Sequence, residues 1–370
     1  MILVLILLCT VYQFNNISTQ ITITMKKQAL ILFMALGSMA ASAQDKWKTE
    51  PYLTKALSRS AITNVFVRTS GGSIVVDGVE PGEARIEVYI RPNNGRDVTQ
   101  AELEQRLKEN YTLEITDDNH ELHATAKSKS GDMDWRKSVS ISFKIFVPKA
   151  VGTNLNTSGG SISLANIAGE QNFTTSGGSL QVSHVSGRIK GRTSGGSIQV
   201  NYANQDVDLI TSGGSISAGN CQGNLNLVTS GGSLKLSQLR GKINATTSGG
   251  SISADQISGD LVTSTSGGSI NLTQIEGGVD AETSGGSIHA QLSGIGKAVK
   301  LNTSAGHIDL SMPQQKGLNL DLKGSRVNAT LAGGSFEGSK DKDRVEGKLN
   351  GGGALVQAYA SSGSVNVKFE

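Results

Sequence analysis

Thr157-Ser-Gly-Gly-Ser-Ile162, Thr175-Ser-Gly-Gly-Ser-Leu180 and Thr193-Ser-Gly-Gly-Ser-Ile198 are successive turns of one pattern. The pentapeptide starts again at 211, 229, 247, 265 and 283, every step being 18 residues. An earlier copy begins at Thr69, and degenerate ones follow at Thr303-Ser-Ala-Gly-His307, Leu331-Ala-Gly-Gly-Ser335 and Ser361-Ser-Gly-Ser364. A fixed period of this length is the signature of a stacked repeat.

Aligning the repeats gives the architecture. The residue after the motif is always Ile or Leu (Ile162, Leu180, Ile198, Ile216, Leu234, Ile252, Ile270, Ile288), and two residues on stand Leu164, Val182, Val200, Ala218, Leu236, Ala254, Leu272 and Ala290. Spacing by two places both columns on one face of a strand. Further apolar columns run through Ile167, Val185, Ala203 and Cys221, and through Ile189, Val207, Leu225 and Ile243. Between them lies a glycine column, Gly169, Gly187, Gly223, Gly241, Gly259 and Gly277, with Gln205 its exception.

The fold class is therefore all-β: a parallel β-solenoid (β-helix) of 18-residue coils, with a small α+β insertion near the N-terminal end. Parallel coils about 4.8 Å apart would extend the eight regular ones over roughly 35–40 Å. We assign the corners, as positions that tolerate positive φ, to the later glycine column and to the paired motif glycines. These are Gly159 and Gly160, Gly177 and Gly178, Gly195 and Gly196, Gly213 and Gly214, Gly231 and Gly232, Gly249 and Gly250, Gly267 and Gly268, and Gly285 and Gly286. The motif hydroxyls are assigned to bonds with backbone or with the neighbouring coil.

Composition agrees. Glycine accounts for 46 residues and aromatics for 4%, so a large aromatic-filled core is excluded. Met25 to Ala43 has a basic start (Lys26, Lys27), an apolar centre and an Ala41-Ser42-Ala43 cleavage site, the layout of a secretory leader. Its apolar stretch is too short for a stable membrane span. Residues 1–24 read as an upstream extension from a mis-assigned start, with a second anchor as the alternative. Cleavage after Ala43 removes Lys26 and Lys27 and lowers the formal charge from +3 to +1. A near-neutral chain excludes nucleic acid as partner. The mature chain keeps only Cys221, so no internal disulfide can form.

The remaining organisation is a leader segment 44–60, first coils over 61–156 interrupted by an insertion at 91–136, the regular array 157–302, and irregular coils with a cap over 303–370. Within the insertion, Thr99-Gln-Ala-Glu102 is a capping box opening a short helix. Alternating strands flank Asp117-Asp118-Asn119.

The Thr-Ser-Gly-Gly-Ser-Ile coils, Val88-Tyr-Ile-Arg-Pro-Asn-Asn-Gly95 and Asp343-Arg-Val-Glu-Gly-Lys-Leu-Asn-Gly-Gly-Gly353 together resemble the bacterial "putative-adhesin" family of β-strand repeats, a domain-of-unknown-function family. The resemblance covers nearly all of residues 60–370. It implies an exported envelope or surface protein and supplies no catalytic residues.

Chemistry-bearing patterns are sparse. His120, His123, His184, His289 and His307 show no metal spacing, and no aspartate column follows the Gly-Gly, so neither zinc, calcium nor any cofactor is expected. Glu170, Asp206, Asp208, Asp255, Asp260, Glu276, Asp280 and Glu282 scatter over several columns and coils; Asp206 and Asp208 share a strand face. No histidine recurs beside the motif serines to act as a base. The expected catalytic set is empty. The candidate binding face is the polar column Asn166, His184, Tyr202, Asn220, Gln238, Gln256 and Gln274, read either as amides bonded along the axis or as a row facing a glycan or an envelope or surface protein. The expected function is a non-catalytic envelope or cell-surface protein, adhesin or scaffold, located in the periplasm, on the outer-membrane surface or outside the cell. The alternatives are a polysaccharide-active β-helix enzyme and an envelope-stress or assembly component.

Overall fold

The computed structural model describes residues 50–57, 62–80, 82–93, 98–129, 138–313, 317–331 and 334–369. The stretches read as 1–24 and as the leader 25–43 lie outside them. The residues from Pro51 onward form one compact unit.

That unit is a parallel β-solenoid. Ile162, Leu180, Ile198, Ile216, Leu234, Ile252, Ile270 and Ile288 are stacked partners, each offset from the last by one repeat. All of them, and the other apolar columns, are buried. Phe143 and Phe173 are the fully enclosed phenyl rings of this core. Gly191 makes room for the second: a Cβ there would lie 2.5 Å from the Phe173 ring. Gln171 enters the core as well, accepting from Thr153 Oγ1 at 2.6 Å and donating to the Val151 carbonyl at 2.8 Å.

The motif glycines act differently from the expectation. None of the sixteen has a φ in the left-handed region. The second of each pair is required because coils touch there. A Cβ on Gly178 would stand 1.9 Å from the Gly160 carbonyl oxygen, and one on Gly232 would stand 2.1 Å from that of Gly214. The first glycine has ordinary room; the nearest atom to a Cβ on Gly231 is 3.5 Å away. The later glycine column does have the expected left-handed backbone, with φ from 106° at Gly187 to 142° at Gly277, and its exception Gln205 shares it at 86°.

The threonine is the buried rivet of the turn. Thr175 Oγ1 donates to the Gly160 carbonyl one coil back at 2.8 Å and accepts the Gly178 N–H of its own turn at 3.2 Å. The same pair of bonds recurs at Thr193, Thr211, Thr229, Thr247, Thr265, Thr283 and Thr303. The last serine forms a second ladder, its Oγ accepting the backbone N–H of its counterpart in the next coil. His307 continues this ladder in place of serine: its N–H donates to Ser287 Oγ, and its Nδ1 accepts the Ser364 N–H at 3.0 Å.

Both ends of the stack are laid down out of chain order. At the N-terminal end, Asn64–Thr69 and Ile74–Val79 form the second coil. The outermost parallel coil comes later in the chain, from Glu121–Ser128 and Val139–Pro148. Arg85–Pro92, Leu53–Ala56 and Tyr111–Asp118 add to it antiparallel. The helix Gln100–Asn110, capped by Thr99, buries Leu107 against this end. At the other end, Ala354–Ala360 and Ser364–Phe369 stack on the array at Ile288–Thr303 and Ile308–Met312. The earlier strands Leu318–Lys323 and Arg326–Thr330 then stack on them from outside. The antiparallel strands Arg344–Leu349 and Phe336–Lys340 close the sheet. In the coil of Leu318–Lys323 and Arg326–Thr330, the degenerate copy at 331–335 follows the second strand, and its residues 332 and 333 lie outside the described residues. The turn of that coil is at Gly324 and Ser325, where Ser325 N–H donates to the Gly363 carbonyl at 2.9 Å.

Candidate functional site

The polar column singled out in the sequence occupies one corner of the stack. Asn166, His184, Tyr202, Asn220, Gln238, Gln256 and Gln274 all have φ between 53° and 57°. This is the left-handed region, which asparagine tolerates best and β-branched residues worst. The corner conformation therefore accounts for the residue choice. Asn166 donates to Asp77 at 2.9 Å, and the rings of His184 and Tyr202 stack at 4.5 Å. The amides of Asn220, Gln238, Gln256 and Gln274 form no bonds with one another. We expect Gln256→Val to lower stability by about 1–2 kcal/mol through corner strain alone, with Gln256→Asn neutral within ~0.5 kcal/mol. Urea midpoints of the two variants against the parent check this.

Amide ladders occur on the flat faces instead. On one, Asp208 accepts from Asn226 at 2.8 Å and Asn226 accepts from Asn244 at 2.8 Å, while Asp206 accepts from Asn224 at 2.9 Å. The two aspartates that share a face are thus occupied as ladder acceptors.

The face that follows the motif carries a larger feature. Strands Ile270–Thr283, Ile288–Thr303, Ile308–Met312, Ser364–Phe369 and Arg326–Thr330 present Asn271, His289, Asp309, Asn366 and Asn328 in consecutive register. His289 Nδ1 lies 2.9 Å from Asp309 Oδ2. Asn366 donates to Asp309 Oδ1 at 2.7 Å, and Asn328 donates to Asn366 Oδ1 at 2.8 Å. This bonded row lines a groove of about 600 Å³, with Thr273, Gln291, Ser311 and Lys368 along the parallel row. Such a volume lies within the range of small-ligand sites.

The groove's chemistry is that of hydrogen bonding. Its one carboxylate, Asp309, is engaged by both His289 and Asn366. Glycoside hydrolysis ordinarily uses two carboxyl groups across the scissile bond. Among the described residues, no group of three or more His, Cys, Asp and Glu is placed to hold a metal ion. Cys221 is buried, and burial pushes its thiol pKa up, away from the reactive thiolate. Among the described residues, no helix is long and apolar enough to cross a membrane.

Sequence reasoning missed the row because its members do not follow the period. Asn366 and Asn328 come from the out-of-order coils, and His289 and Asp309 are 20 residues apart rather than 18. One usable signal was present: His307 at the last motif position marks Ile308 as the start of a coil in register.

Residues 197–368, somewhat under half of the chain, match the family model described as Toastrack DUF4097. A solved structure from Clostridium sporogenes ATCC 15579, described as a "putative cell adhesion protein", is similar at 11% identity and a TM-score of 0.20, with 87% of this chain and 100% of that chain covered. No curated protein matches the chain.

Proposed function

We propose that this is an exported, non-catalytic protein of the cell envelope or surface that binds glycan through the groove around His289, Asp309, Asn366 and Asn328. The observation that carries the reading is the bonded row itself. Three contacts fix four side chains before any ligand arrives, which lowers the ordering cost of binding. Export is supported by the leader pattern at 25–43. A role as adhesin or scaffold is in keeping with a rigid stack whose exposed columns are polar and whose charge is near neutral.

The test is a glycan array and a cell-adhesion assay with the mature chain, beside His289→Ala and Asn366→Ala. The expected result is binding that each substitution weakens about tenfold, the effect of ~1.4 kcal/mol. Fractionation of intact cells should place the protein outside the cytoplasm. Turnover of a polysaccharide, or binding that neither substitution alters, would overturn the reading.

A further inference from the structure

The groove does not end the face on which it lies. The residue between the first and second core positions forms one unbroken column: Gln181, Gln199, Ser217, Lys235, Ser253, Asn271, His289, Asp309, Asn366 and Asn328. All ten are exposed or half-exposed. Nine steps of about 4.8 Å make the column roughly 43 Å long. A second cavity, of about 380 Å³, opens on the same face at the other end, lined by Gln181, Gln199, Ser217 and Lys235.

We infer that the two cavities are subsites of one trough, and that its ligand is a linear, uncharged polysaccharide lying along the solenoid axis. The inference rests on the glycan reading of the groove and specifies the ligand's length, charge and direction. The column carries amides, hydroxyls, one imidazole, one ammonium and one carboxylate that is already bonded. Amides and hydroxyls both donate and accept, as sugar hydroxyls do. The column's one lysine and one aspartate, with Asp255 and Lys368 on the parallel row, balance in sign and give no field to hold a polyanion or polycation. An extended peptide repeats every 3.2–3.4 Å or so per residue and drifts out of step with rungs about 4.8 Å apart. Its backbone groups also seek a strand edge, and this face offers none. A column without Phe, Tyr or Trp holds sugars chiefly by hydrogen bonds. Each subsite is then weak, and linking them supplies the affinity.

Chain length is the variable that tests this. Size-fractionated oligomers of three soluble neutral polysaccharides, a glucan, a mannan and a galactan, are titrated against the mature protein by calorimetry. At least one series should bind at least tenfold more tightly once its oligomers are long enough to reach both cavities. Gln199→Ala combined with Lys235→Ala should abolish that gain and leave short-oligomer affinity unchanged. His289→Ala should weaken short and long oligomers alike. Short and long oligomers binding equally, with His289→Ala still weakening both, would overturn the trough while leaving the groove intact. Binding confined to an acidic polymer or a peptide would overturn the ligand assignment. No binding by any oligomer would overturn the glycan reading and the trough with it.

Discussion

Gly232→Ala is expected to destabilise the protein by at least about 3 kcal/mol, while Gly231→Ala next to it is neutral or stabilising by about 0.5 kcal/mol. The two glycines are adjacent in the same turn, so composition cannot separate them, although Gly231 is exposed and Gly232 half-buried. The difference lies in what the added methyl meets. At Gly232 it would sit 2.1 Å from the Gly214 carbonyl oxygen, 2.4 Å from its carbon and 2.5 Å from Ser215 N. These are backbone atoms of a coil held in register by the ladders on either side, so no side chain can move aside. The coils must part locally, and the bonds of Thr229 and Thr247 to the two glycine carbonyls lengthen with them. At Gly231 the nearest atoms lie at 3.5–3.8 Å, ordinary contact, and alanine only reduces the freedom of the unfolded chain. Urea unfolding followed by circular dichroism checks both. Equal midpoints for the two variants would show that the glycine pair serves as a flexible turn and not as a contact between coils.

The contrast also shows where the sequence was readable. A glycine column announces that a side chain is excluded, but a left-handed φ and a close backbone approach leave the same mark. Gly178 is of the second kind alone, whereas Gly187 combines the two, with φ 106° and a Cβ that would stand 2.2 Å from the Gly169 carbonyl oxygen, and only the stacked structure tells these cases apart. The apolar columns were legible because burial on one strand face has a single sequence consequence, alternation, and the strict period repeated it eight times. The corner column was legible as a column but not as a corner. Its polarity suggested a surface for contact, whereas the absence of any β-branched residue from Asn166 to Gln274 was the sign of left-handed backbone. The groove was hidden for another reason. Its row is assembled from strands that are neighbours in space and not in sequence, and no one-dimensional period can carry that ordering.

That ordering makes the second large effect. A chain stopped after Gly353 should lose protection from hydrogen exchange throughout 318–349, reaching the rates of unfolded peptide, while 162–283 stay protected. In a solenoid wound strictly in chain order, removing the last segment would strip one terminal coil and leave 318–330 in place. Here Ala354–Ala360 and Ser364–Phe369 lie between the array and the outer coil. Leu318–Lys323 and Arg326–Thr330 reach the array only through them, and the antiparallel pair beyond is attached through Leu318–Lys323. In the whole chain the arrangement works in reverse. An outer coil that peels away stays tied at both its ends, as a loop of roughly forty residues, and closing such a loop costs about 3 kcal/mol of chain entropy. Fraying therefore releases less entropy than it would from a free terminal coil, which is where repeat arrays ordinarily begin to open. The N-terminal end has the same logic, since Glu121–Ser128 and Val139–Pro148 sit outside Asn64–Thr69 and Ile74–Val79. The inserted segment also bears on ligand binding, because Asn366 is the rung that joins Asp309 to Asn328. The truncated chain should accordingly lose groove binding as well as the protection of its cap. Continued protection of 318–330 without residues 354–370 would show that the outer coil holds to the array directly and that this threading is not what closes the end.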